Sequence, residues 1–255
     1  MATKPIHSIL ITGASRGIGL GFVKKFLENP EVDILVAGCR NPTAAKDLTS
    51  ISDPRLHVIQ LDVTDDKSIN EAYTIVDRMV GCKGLTMLIN NAGYLPGYDF
   101  ESKPDRNIIN KTLNVNATSP VIMIQTFYPL LKRAADLVNG DEISVSRAAI
   151  INISSDSGSI GIQNSSNYLG VIKQLDYCMS KSALNQASRI IAHDVETDHI
   201  LVTAVHPGWI RTEMGTEHAE ITVEEGVNDM VSSIYKMGKE HSGGFFDRHL
   251  EVMPF

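Results

Sequence analysis

Tyr177 and Lys181 are the residues of this 255-residue sequence whose types and spacing point most directly to chemistry. Positions i and i+4 of a helix lie on one face, so the ammonium group can sit beside the phenol. A free tyrosine has a pKa of about 10, which is too high for proton exchange near neutral pH. A unit charge about 4 Å away, at an effective dielectric constant near 20, shifts a pKa by roughly 3 units. The pair therefore predicts a phenol that can give or take a proton.

Two other tyrosines compete with Tyr177, because a Tyr-x-x-x-Lys spacing alone is weak evidence. Tyr128 and Lys132 repeat the spacing, but they precede the strand that should deliver a serine. We interpret that lysine as part of a solvated face. Tyr168 is followed four positions later by Ile172 and therefore lacks a cation at that spacing.

Two serines favour Tyr177 over its competitors. Ser154 and Ser155 end an apolar segment that is predicted to be a buried strand. Ligands of open α/β sheets bind at the carboxyl ends of such strands, where a hydroxyl can donate a hydrogen bond to a substrate oxygen. The alternative interpretation is that both hydroxyls only cap the strand end.

A glycine-rich turn near the amino terminus supplies a second site. Gly13, Gly17 and Gly19 stand between an apolar strand and an amphipathic helix pattern. Glycine allows the unusual backbone angles of a tight turn and lets the backbone approach a pyrophosphate closely. The helix N-terminus adds free N–H groups and partial positive charge. We predict a dinucleotide-binding turn, and an ordinary strand–helix connection is the alternative.

The end of the next predicted strand indicates which dinucleotide binds. An acidic residue about 20 residues after such a turn usually bonds the ribose 2′-hydroxyl of NAD. Residues 37–41 contain no acid, and Arg40 stands at that place. A guanidinium can bind a 2′-phosphate with paired hydrogen bonds, and Arg16 inside the turn adds a second positive charge. The sequence therefore predicts NADP(H) as the cofactor, and the alternative is that Arg40 is a solvated surface residue.

Apolar segments that alternate with helix patterns must position these groups. Strands are predicted at residues 6–12, 34–37, 57–61, 86–89, 148–154, 201–205 and 243–246. Helices are predicted from the glycine turn to residue 27 and at 42–51, 65–80, 105–135, 176–195 and 222–237. Strands that are apolar throughout fit a parallel sheet buried on both faces. We predict one doubly wound, Rossmann-type α/β domain over residues 1–255, with about seven parallel strands, helices on both faces and an insertion or lid at 156–175.

Composition excludes several classes of function. The net charge of −7 and the lack of a basic stripe argue against a nucleic-acid partner. The longest uncharged run, residues 112–131, is too polar to span a bilayer, and residues 1–6 lack the apolar segment of a secretory signal. Three cysteines without a Cys-x-x-Cys pair fit a reducing compartment, so we expect a cytoplasmic protein without a membrane partner. No metal site is predicted.

These motifs, in their order along the chain, resemble the short-chain dehydrogenase/reductase family. Residues 12–19 look like the family's cofactor turn. The resemblance implies that Asn116, Ser155, Tyr177 and Lys181 are catalytic. Asn116 matches the helix asparagine that holds a water near the lysine, and Asn114 is its competitor.

The resemblance also implies the cofactor contacts. Residues 90–93 resemble a motif that supports the sheet and lines the cofactor. Residues 62–63 resemble the adenine contact. Residues 207–212 resemble the loop that surrounds the nicotinamide amide and the phosphates. The predicted cofactor-binding residues are Gly13, Ser15, Arg16, Gly17, Ile18, Gly19, Arg40, Asp62, Val63, Asn91, Ala92, Gly93, Tyr177, Lys181, Pro207, Gly208, Trp209, Ile210 and Thr212.

Two features depart from the family pattern. Ser155 and Tyr177 are farther apart than is usual, because residues 156–175 lie between them, and the chain ends soon after Gly244 without a long C-terminal substrate domain. The extra segment and residues 144–149 are similar to sniffer-type carbonyl reductases. Cys178, beside the tyrosine, is either a reactive thiol or a small packing residue.

The leading hypothesis is an NADPH-dependent carbonyl reductase with Tyr177 as proton donor. The alternatives are an alcohol or hydroxysteroid dehydrogenase that works oxidatively, and a non-catalytic NADPH-sensing or signalling protein. The resemblance further implies a homodimer, with the helices of Asn116 and Tyr177 at the interface. The small side chains expected to permit close helix approach are Ala183, Ala187 and Ser188.

The expected substrates are apolar aldehydes, ketones or quinones, because the two segments predicted to cover the site, 156–175 and 209–221, are rich in apolar residues. Their apolar residues are Ile160, Ile162, Tyr168, Leu169, Val171, Ile172, Trp209, Ile210 and Met214. Each segment has a single lysine or arginine, Lys173 in the first and Arg211 in the second, whereas an anionic substrate usually needs a cationic clamp. Glu213, Glu217 and Glu220 would repel an anion.

Overall fold

The predicted strands form one parallel sheet in the computed structural model of the chain, which describes residues 6–163 and 174–255. The strands are β1 (Ser8–Thr12), β2 (Ile34–Cys39), β3 (Leu56–Gln60), β4 (Met87–Asn90), β5 (Ala149–Ile153), β6 (Leu201–His206) and β7 (Phe245–Asp247). Their order across the sheet is β3-β2-β1-β4-β5-β6-β7, and all neighbouring pairs are parallel. The order reverses between β1 and β4, which leaves a crevice at the carboxyl ends of the strands, where ligands bind in such sheets.

Helices cover both faces of the sheet. They are α1 (Gly17–Leu27), α2 (Lys46–Thr49), α3 (Asp66–Val80), α4 (Arg106–Leu113), α5 (Ser119–Asp136), α6 (Leu175–Asp194) and α7 (Val223–Ile234). Ile9 and Ile11 of β1 join a buried apolar cluster with α1 and α7, whereas Leu10 joins a cluster with α3 and α5. Apolar side chains along the whole strand are therefore buried on one face or the other, which confirms the predicted doubly wound fold.

Two helices differ from their predictions. Residues 42–51 form a 3₁₀ turn, Pro42–Ala44, and the single-turn helix α2. The helix predicted over 105–135 is interrupted, because α4 passes through a π-helical turn, Asn114–Thr118, before α5 begins. Such turns are rare and frequently occur at functional sites. Asp65 caps α3 by accepting a hydrogen bond from the backbone N–H of Lys67 (3.1 Å).

Part of the predicted insertion lies outside the described residues. Five of its predicted site-covering residues belong to that part: Tyr168, Leu169, Val171, Ile172 and Lys173. A 3₁₀ turn, Asp156–Gly158, directly follows β5, and α6 begins at Leu175. In residues 6–163 and 174–255, no helix is both long and apolar enough to cross a membrane. The same residues contain no group of three or more His, Cys, Asp or Glu side chains that could hold a metal ion.

Candidate active site

The glycine-rich turn packs against the loop that follows β4. Gly13 has a φ of +66° and Gly17 a φ of +55°, in the left-handed region that favours glycine. A Cβ atom on Gly13 would lie 2.8 Å from the Cα of Ala92. The turn therefore requires glycine both for its backbone angles and for its close approach to the neighbouring loop.

The amino end of α1 is suited to hold a phosphate group. Arg16 is the N-cap residue, yet its side chain makes no capping hydrogen bond, and the first turn of α1 contains no acidic residue. The first four N–H groups of a helix have no partner within the helix. These N–H groups, from Gly17, Ile18 and Gly19 onward, and the helix dipole fit the pyrophosphate that the sequence predicts here.

The two predicted 2′-phosphate ligands, Arg40 and Arg16, are placed differently. Arg40 directly follows β2, is exposed, and makes no ion pair within the described part of the chain. Arg16 Nε lies 3.1 Å from a carboxylate oxygen of Glu213, and both side chains are more than two-thirds exposed. An exposed pair of this kind contributes at most about 1 kcal/mol. Arg40 is therefore free to bind an anion, and Arg16 can exchange its partner at little cost.

A hydroxyl that sequence reasoning missed joins the glycine turn to the loop after β4. Thr12 Oγ1 accepts hydrogen bonds from the backbone N–H groups of Asn91 and Ala92, both at 3.0 Å. The Asn91 side chain donates in return to the carbonyl oxygens of Thr12 (2.9 Å) and Gly13 (3.2 Å). The position of Thr12 directly before the first glycine was a usable signal.

Asp62 and Val63, the predicted adenine contact, follow β3 at the carboxyl edge of the sheet. Asp62 Oδ1 accepts hydrogen bonds from the backbone N–H of Thr64 (2.9 Å) and from its hydroxyl (2.7 Å). Val63 is partly buried against the cluster that contains α3 and α5. Gly93, at the same edge, is exposed, and a Cβ there would lie 3.6 Å from Met214 Cε.

Tyr177 and Lys181 occupy successive turns of α6 and are both buried. Lys181 Nζ lies 5.6 Å from the centroid of the Tyr177 ring. It also donates a hydrogen bond to the carbonyl oxygen of Ile153 at the end of β5 (2.7 Å). The two side chains therefore share one helix face, as their spacing predicted, and that face lies against the carboxyl end of β5.

Burial determines the proton affinities of this pair. Burial raises the pKa of Tyr177 well above its usual range, the neighbouring Ser155 hydroxyl lowers it, and the charge of Asp156 raises it further. Burial lowers the pKa of Lys181 to about 8. Among the chain's own groups, burial has the largest effect on both pKa values, because both side chains are removed from water. The prediction that the lysine charge together with an oxidised nicotinamide lowers the phenol's pKa stays a prediction.

The two candidate serines have different partners. Ser154 Oγ is buried and donates to the side-chain oxygen of Asn185 (2.5 Å), which fastens α6 to the sheet. Ser155 Oγ donates to Asp156 Oδ1 (2.9 Å) and lies near enough to the Tyr177 phenol to lower its pKa. Of the two hydroxyls, only that of Ser155 is therefore placed beside the phenol.

Asn116 lies in the π-helical turn, where its side chain is fully buried. Its Nδ2 donates to the carbonyl oxygen of Tyr94 (2.8 Å) and to Ser180 Oγ (3.0 Å), and its Oδ1 accepts from the Tyr94 N–H (2.8 Å). Asn116 thus connects the loop after β4 to the helix of Tyr177. Its competitor Asn114 is exposed.

The loop after β6 lies across the glycine turn. Trp209 Nε1 donates to the carbonyl oxygen of Gly215 (2.6 Å), and Arg211 N–H donates to that of Ile221 (2.8 Å). The Thr212 methyl group lies 3.3 Å from the position of a Cβ on Gly17. Thr212, at the end of the predicted cofactor loop that includes Pro207 and Gly208, therefore borders the glycine-rich turn.

The surroundings of the competing Tyr128–Lys132 pair and of the Cys178 thiol indicate a structural role for each. The Tyr128 hydroxyl donates to Asp198 (2.6 Å), and Lys132 pairs with the same carboxylate, so this pair joins α5 to the chain after α6. Burial raises the pKa of the Cys178 thiol, which makes it less reactive and favours the packing interpretation.

The carboxyl edge of the sheet thus gathers a glycine-rich turn at a helix N-terminus, a buried Tyr–Lys pair and a serine, from segments far apart in the chain. This combination defines an oxidoreductase of the dinucleotide-dependent class. Residues 7–221 match a family model described as short chain dehydrogenase. The chain belongs to the short-chain dehydrogenase family, as its motifs predicted.

Three solved structures are similar over nearly their whole length. A Caenorhabditis elegans protein described as a Sniffer carbonyl reductase has a TM-score of 0.90 and 40% identity, over 99% of this chain and 100% of that one. An NADPH-bound carbonyl reductase from chicken fatty liver has a TM-score of 0.93 and 34% identity, over 99% and 95%. The carbonyl reductase Sniffer of D. melanogaster has a TM-score of 0.92 and 32% identity, over 98% and 100%. The predicted similarity to sniffer-type reductases is confirmed.

Proposed function

We propose that this chain is an NADP(H)-dependent carbonyl reductase of apolar aldehydes, ketones or quinones, with Tyr177 as proton donor. The observation that carries the proposal is that the Ser155 hydroxyl lies near the Tyr177 phenol while Lys181 lies beside its ring, at the carboxyl edge of the sheet. The similarity to carbonyl reductases, one of them with NADPH bound, supports it.

The residues of the carboxyl edge fit NADP(H). The N–H groups at the start of α1 would hold the pyrophosphate, Arg40 and Arg16 the 2′-phosphate, and residues 62–63 the adenine. Residues 91–93 and 207–212 would line the nicotinamide. When bound, the reduced nicotinamide supplies the hydride.

The proton comes from the chain's own side chains. A pKa above the usual range keeps Tyr177 protonated at neutral pH, which is the form that can protonate a carbonyl oxygen. Ser155 donates to Asp156 in the free chain, and its hydroxyl can turn from Asp156 to the substrate oxygen to stabilise the charge that develops there. Lys181, with a pKa near 8, carries a proton at neutral pH that can replace the one lost by the phenol.

The described borders of the site favour a substrate without negative charge. Trp209 and Met214 are about half exposed beside the cofactor loop. The Arg211 guanidinium donates to the carbonyl oxygen of Ala219 (3.1 Å), and Glu213 is paired with Arg16. Ile210 does not match its prediction as a site-covering residue, because its side chain is buried in the core against α7 and cannot line a substrate site.

A kinetic panel tests the proposal. The purified chain is given NADPH with aromatic aldehydes, diketones, quinones, charged keto acids and free sugars, and NADPH oxidation is followed. We expect the largest kcat/KM for the first three classes. Faster turnover of keto acids or sugars would contradict the apolar substrate class. Binding of NADPH without turnover on any carbonyl would favour the sensing alternative, and turnover of alcohols with NADP⁺ alone would favour the oxidative one.

We also propose a cytoplasmic homodimer built from one domain. The outer face of α6 supports the dimer, because three apolar residues at i, i+4 and i+8, Leu175, Met179 and Ala183, are all exposed. Ser188 cannot belong to that interface, since it is buried and accepts a hydrogen bond from Asn152 inside the subunit (2.8 Å). Three free cysteines support a reducing compartment, which cell fractionation would test.

A further inference from the structure

Asp156 is an acidic residue beside the reacting hydroxyls to which the proposed function assigns no role. Its Oδ1 accepts hydrogen bonds from Ser155 Oγ (2.9 Å) and from the backbone N–H of Ser157 (2.7 Å). The turn that carries it is packed closely on α6, because a Cβ on Gly158 would lie 2.8 Å from the backbone carbon of Lys181. The carboxylate is therefore held beside Ser155, although half of its side chain is exposed.

The hydrogen bond from Ser155 to Asp156 affects Tyr177 because Ser155 has a single hydroxyl proton. A serine hydroxyl has one proton and can donate it to one acceptor at a time. While Asp156 accepts the Ser155 hydrogen bond, the Ser155 oxygen can only accept, as it does from the backbone N–H of Ser157 (3.2 Å). A hydrogen bond between Ser155 and the neighbouring phenol then requires Tyr177 to carry its own proton. The negative charge of Asp156 acts in the same direction, because it adds to burial in raising the pKa of Tyr177.

We propose that Asp156 is a positioning residue that accepts a hydrogen bond from Ser155 and so holds Tyr177 in its proton-donating form, which favours carbonyl reduction over alcohol oxidation. The inference rests on the proposed function, since it assumes that Tyr177 exchanges the proton with the substrate. Asp156 itself gains no proton: Ser155 keeps its O–H bond, and the proton that reaches the substrate leaves Tyr177.

Other titratable and charged groups face this cluster from several elements. They are Cys178 and Lys181 of α6, His206 at the end of β6, and Asp247 and Arg248 behind that histidine. Burial lowers the pKa of His206, and its Nδ1 accepts the backbone N–H of Asp156 (3.0 Å), so this ring is neutral. Of the acidic groups in the cluster, Asp156 is the one that contacts Ser155. A test of the proposal must therefore remove the charge of Asp156.

The test is the pH profile of both reaction directions in Asp156→Asn. A neutral aromatic aldehyde with NADPH and the corresponding alcohol with NADP⁺ serve as substrates, so that charge does not alter substrate binding. We expect both profiles to move to lower pH by about half a unit to one unit. Oxidation at pH 7 should then rise about 3- to 10-fold, while reduction at pH 7 stays within about twofold. A merely structural defect would slow both directions.

Three further variants separate the outcomes. Asp141→Asn removes the same charge from a fully exposed position far from the site and should leave both profiles unchanged. Asp156→Glu keeps the charge and should keep the wild-type ratio of the two directions, and Asp156→Ser replaces the amide variant if that variant does not fold. Profiles of Asp156→Asn or Asp156→Ser that coincide with those of Asp141→Asn would overturn the inference. An active Tyr177→Phe enzyme would instead overturn the proposed function, and the inference with it.

Discussion

At the scale of single residues, the buried ammonium group of Lys181 lowers the free energy of unfolding of the chain. Its pKa falls from the ordinary value of 10.5 to about 8 because its ammonium group is buried. Below pH 8 the folded chain must carry this buried charge, whereas the unfolded chain carries it in water. Between pH 8 and about 10.5 the unfolded state binds the extra proton, so this contribution to stability rises with pH.

Lys181→Met should therefore stabilise the chain while removing its activity. The shift of the pKa corresponds to about 3 kcal/mol at neutral pH, as an upper value. We expect the variant to have a larger free energy of unfolding than the wild type at pH 7, with the difference shrinking toward pH 10. Urea unfolding at the two pH values measures this. A variant that is less stable at pH 7 would show that the hydrogen bond to Ile153 outweighs the cost of the buried charge.

Tyr177→Phe should reduce turnover by about 10²- to 10⁴-fold, the usual contribution of a general acid, and leave NADPH binding largely intact. Tyr128→Phe is the matched control, because it has the same spacing to a lysine but donates to Asp198. The control should lose about 1 kcal/mol of stability and little activity. Steady-state kinetics and NADPH fluorescence titration compare the two. Equal losses of turnover in two folded variants would mean that the wrong tyrosine was chosen.

Arg40→Asp should erode or reverse a strong preference for NADPH over NADH. The exposed guanidinium of Arg40 follows β2, and an acid there would repel a 2′-phosphate and accept from a ribose hydroxyl. Lys236→Asp makes the same charge change beyond the far end of α7 and should leave the preference unchanged. The ratio of kcat/KM for the two cofactors is the measurement. Equal values for both cofactors in the unmutated chain would refute the prediction.

At the scale of elements, buried side-chain hydrogen bonds hold α6 against the sheet. Its inner face carries buried polar side chains rather than a continuous apolar stripe. Asn152 links it to β5 through Ser188, and Ser154 links it through Asn185. Directional contacts of this kind fix the rotation of the helix, because a buried polar group that loses its partner is costly.

Thr12→Val tests whether β1 and the loop after β4 form one unit. Valine has a similar shape but cannot accept from the N–H groups of Asn91 and Ala92, so we expect a loss of about 2–4 kcal/mol and weaker NADPH binding. Thr12→Ser keeps the hydroxyl and should retain most of both. Denaturant unfolding and NADPH titration measure the effects. The idea fails if the valine and serine variants are equally stable.

At the scale of the whole molecule, the exposed apolar face of α6 should be covered by a second copy of the chain. Sedimentation equilibrium at micromolar concentration is expected to show a dimer, and Met179→Asp should give a folded monomer, because a buried unpaired charge opposes association. Ile75→Asp is the control, since Ile75 is a comparably exposed apolar residue on α3. A monomeric wild type would refute this assembly.

The sequence by itself determined the features that depend on local rules. Gly13 and Gly17 predicted a tight turn, and both have positive φ. Tyr177 and Lys181 share a helix face because they are four residues apart. Uniformly apolar strands predicted a sheet buried on both sides. The order of these motifs was enough to identify the family. Each of these signals can be read from a short stretch of chain, because backbone geometry and helix periodicity do not depend on distant partners.

Only the tertiary structure decided which of the equivalent candidates act. Ser154 and Ser155 are neighbours in the sequence, but one faces Asn185 and the other Tyr177. The π-helical turn that positions Asn116 has no local signature that the helix pattern revealed. The proton affinities of Tyr177 and Lys181 were likewise hidden, because they are set by burial. Burial and hydrogen-bond partners come from residues far apart in the chain, and only folding brings those residues together.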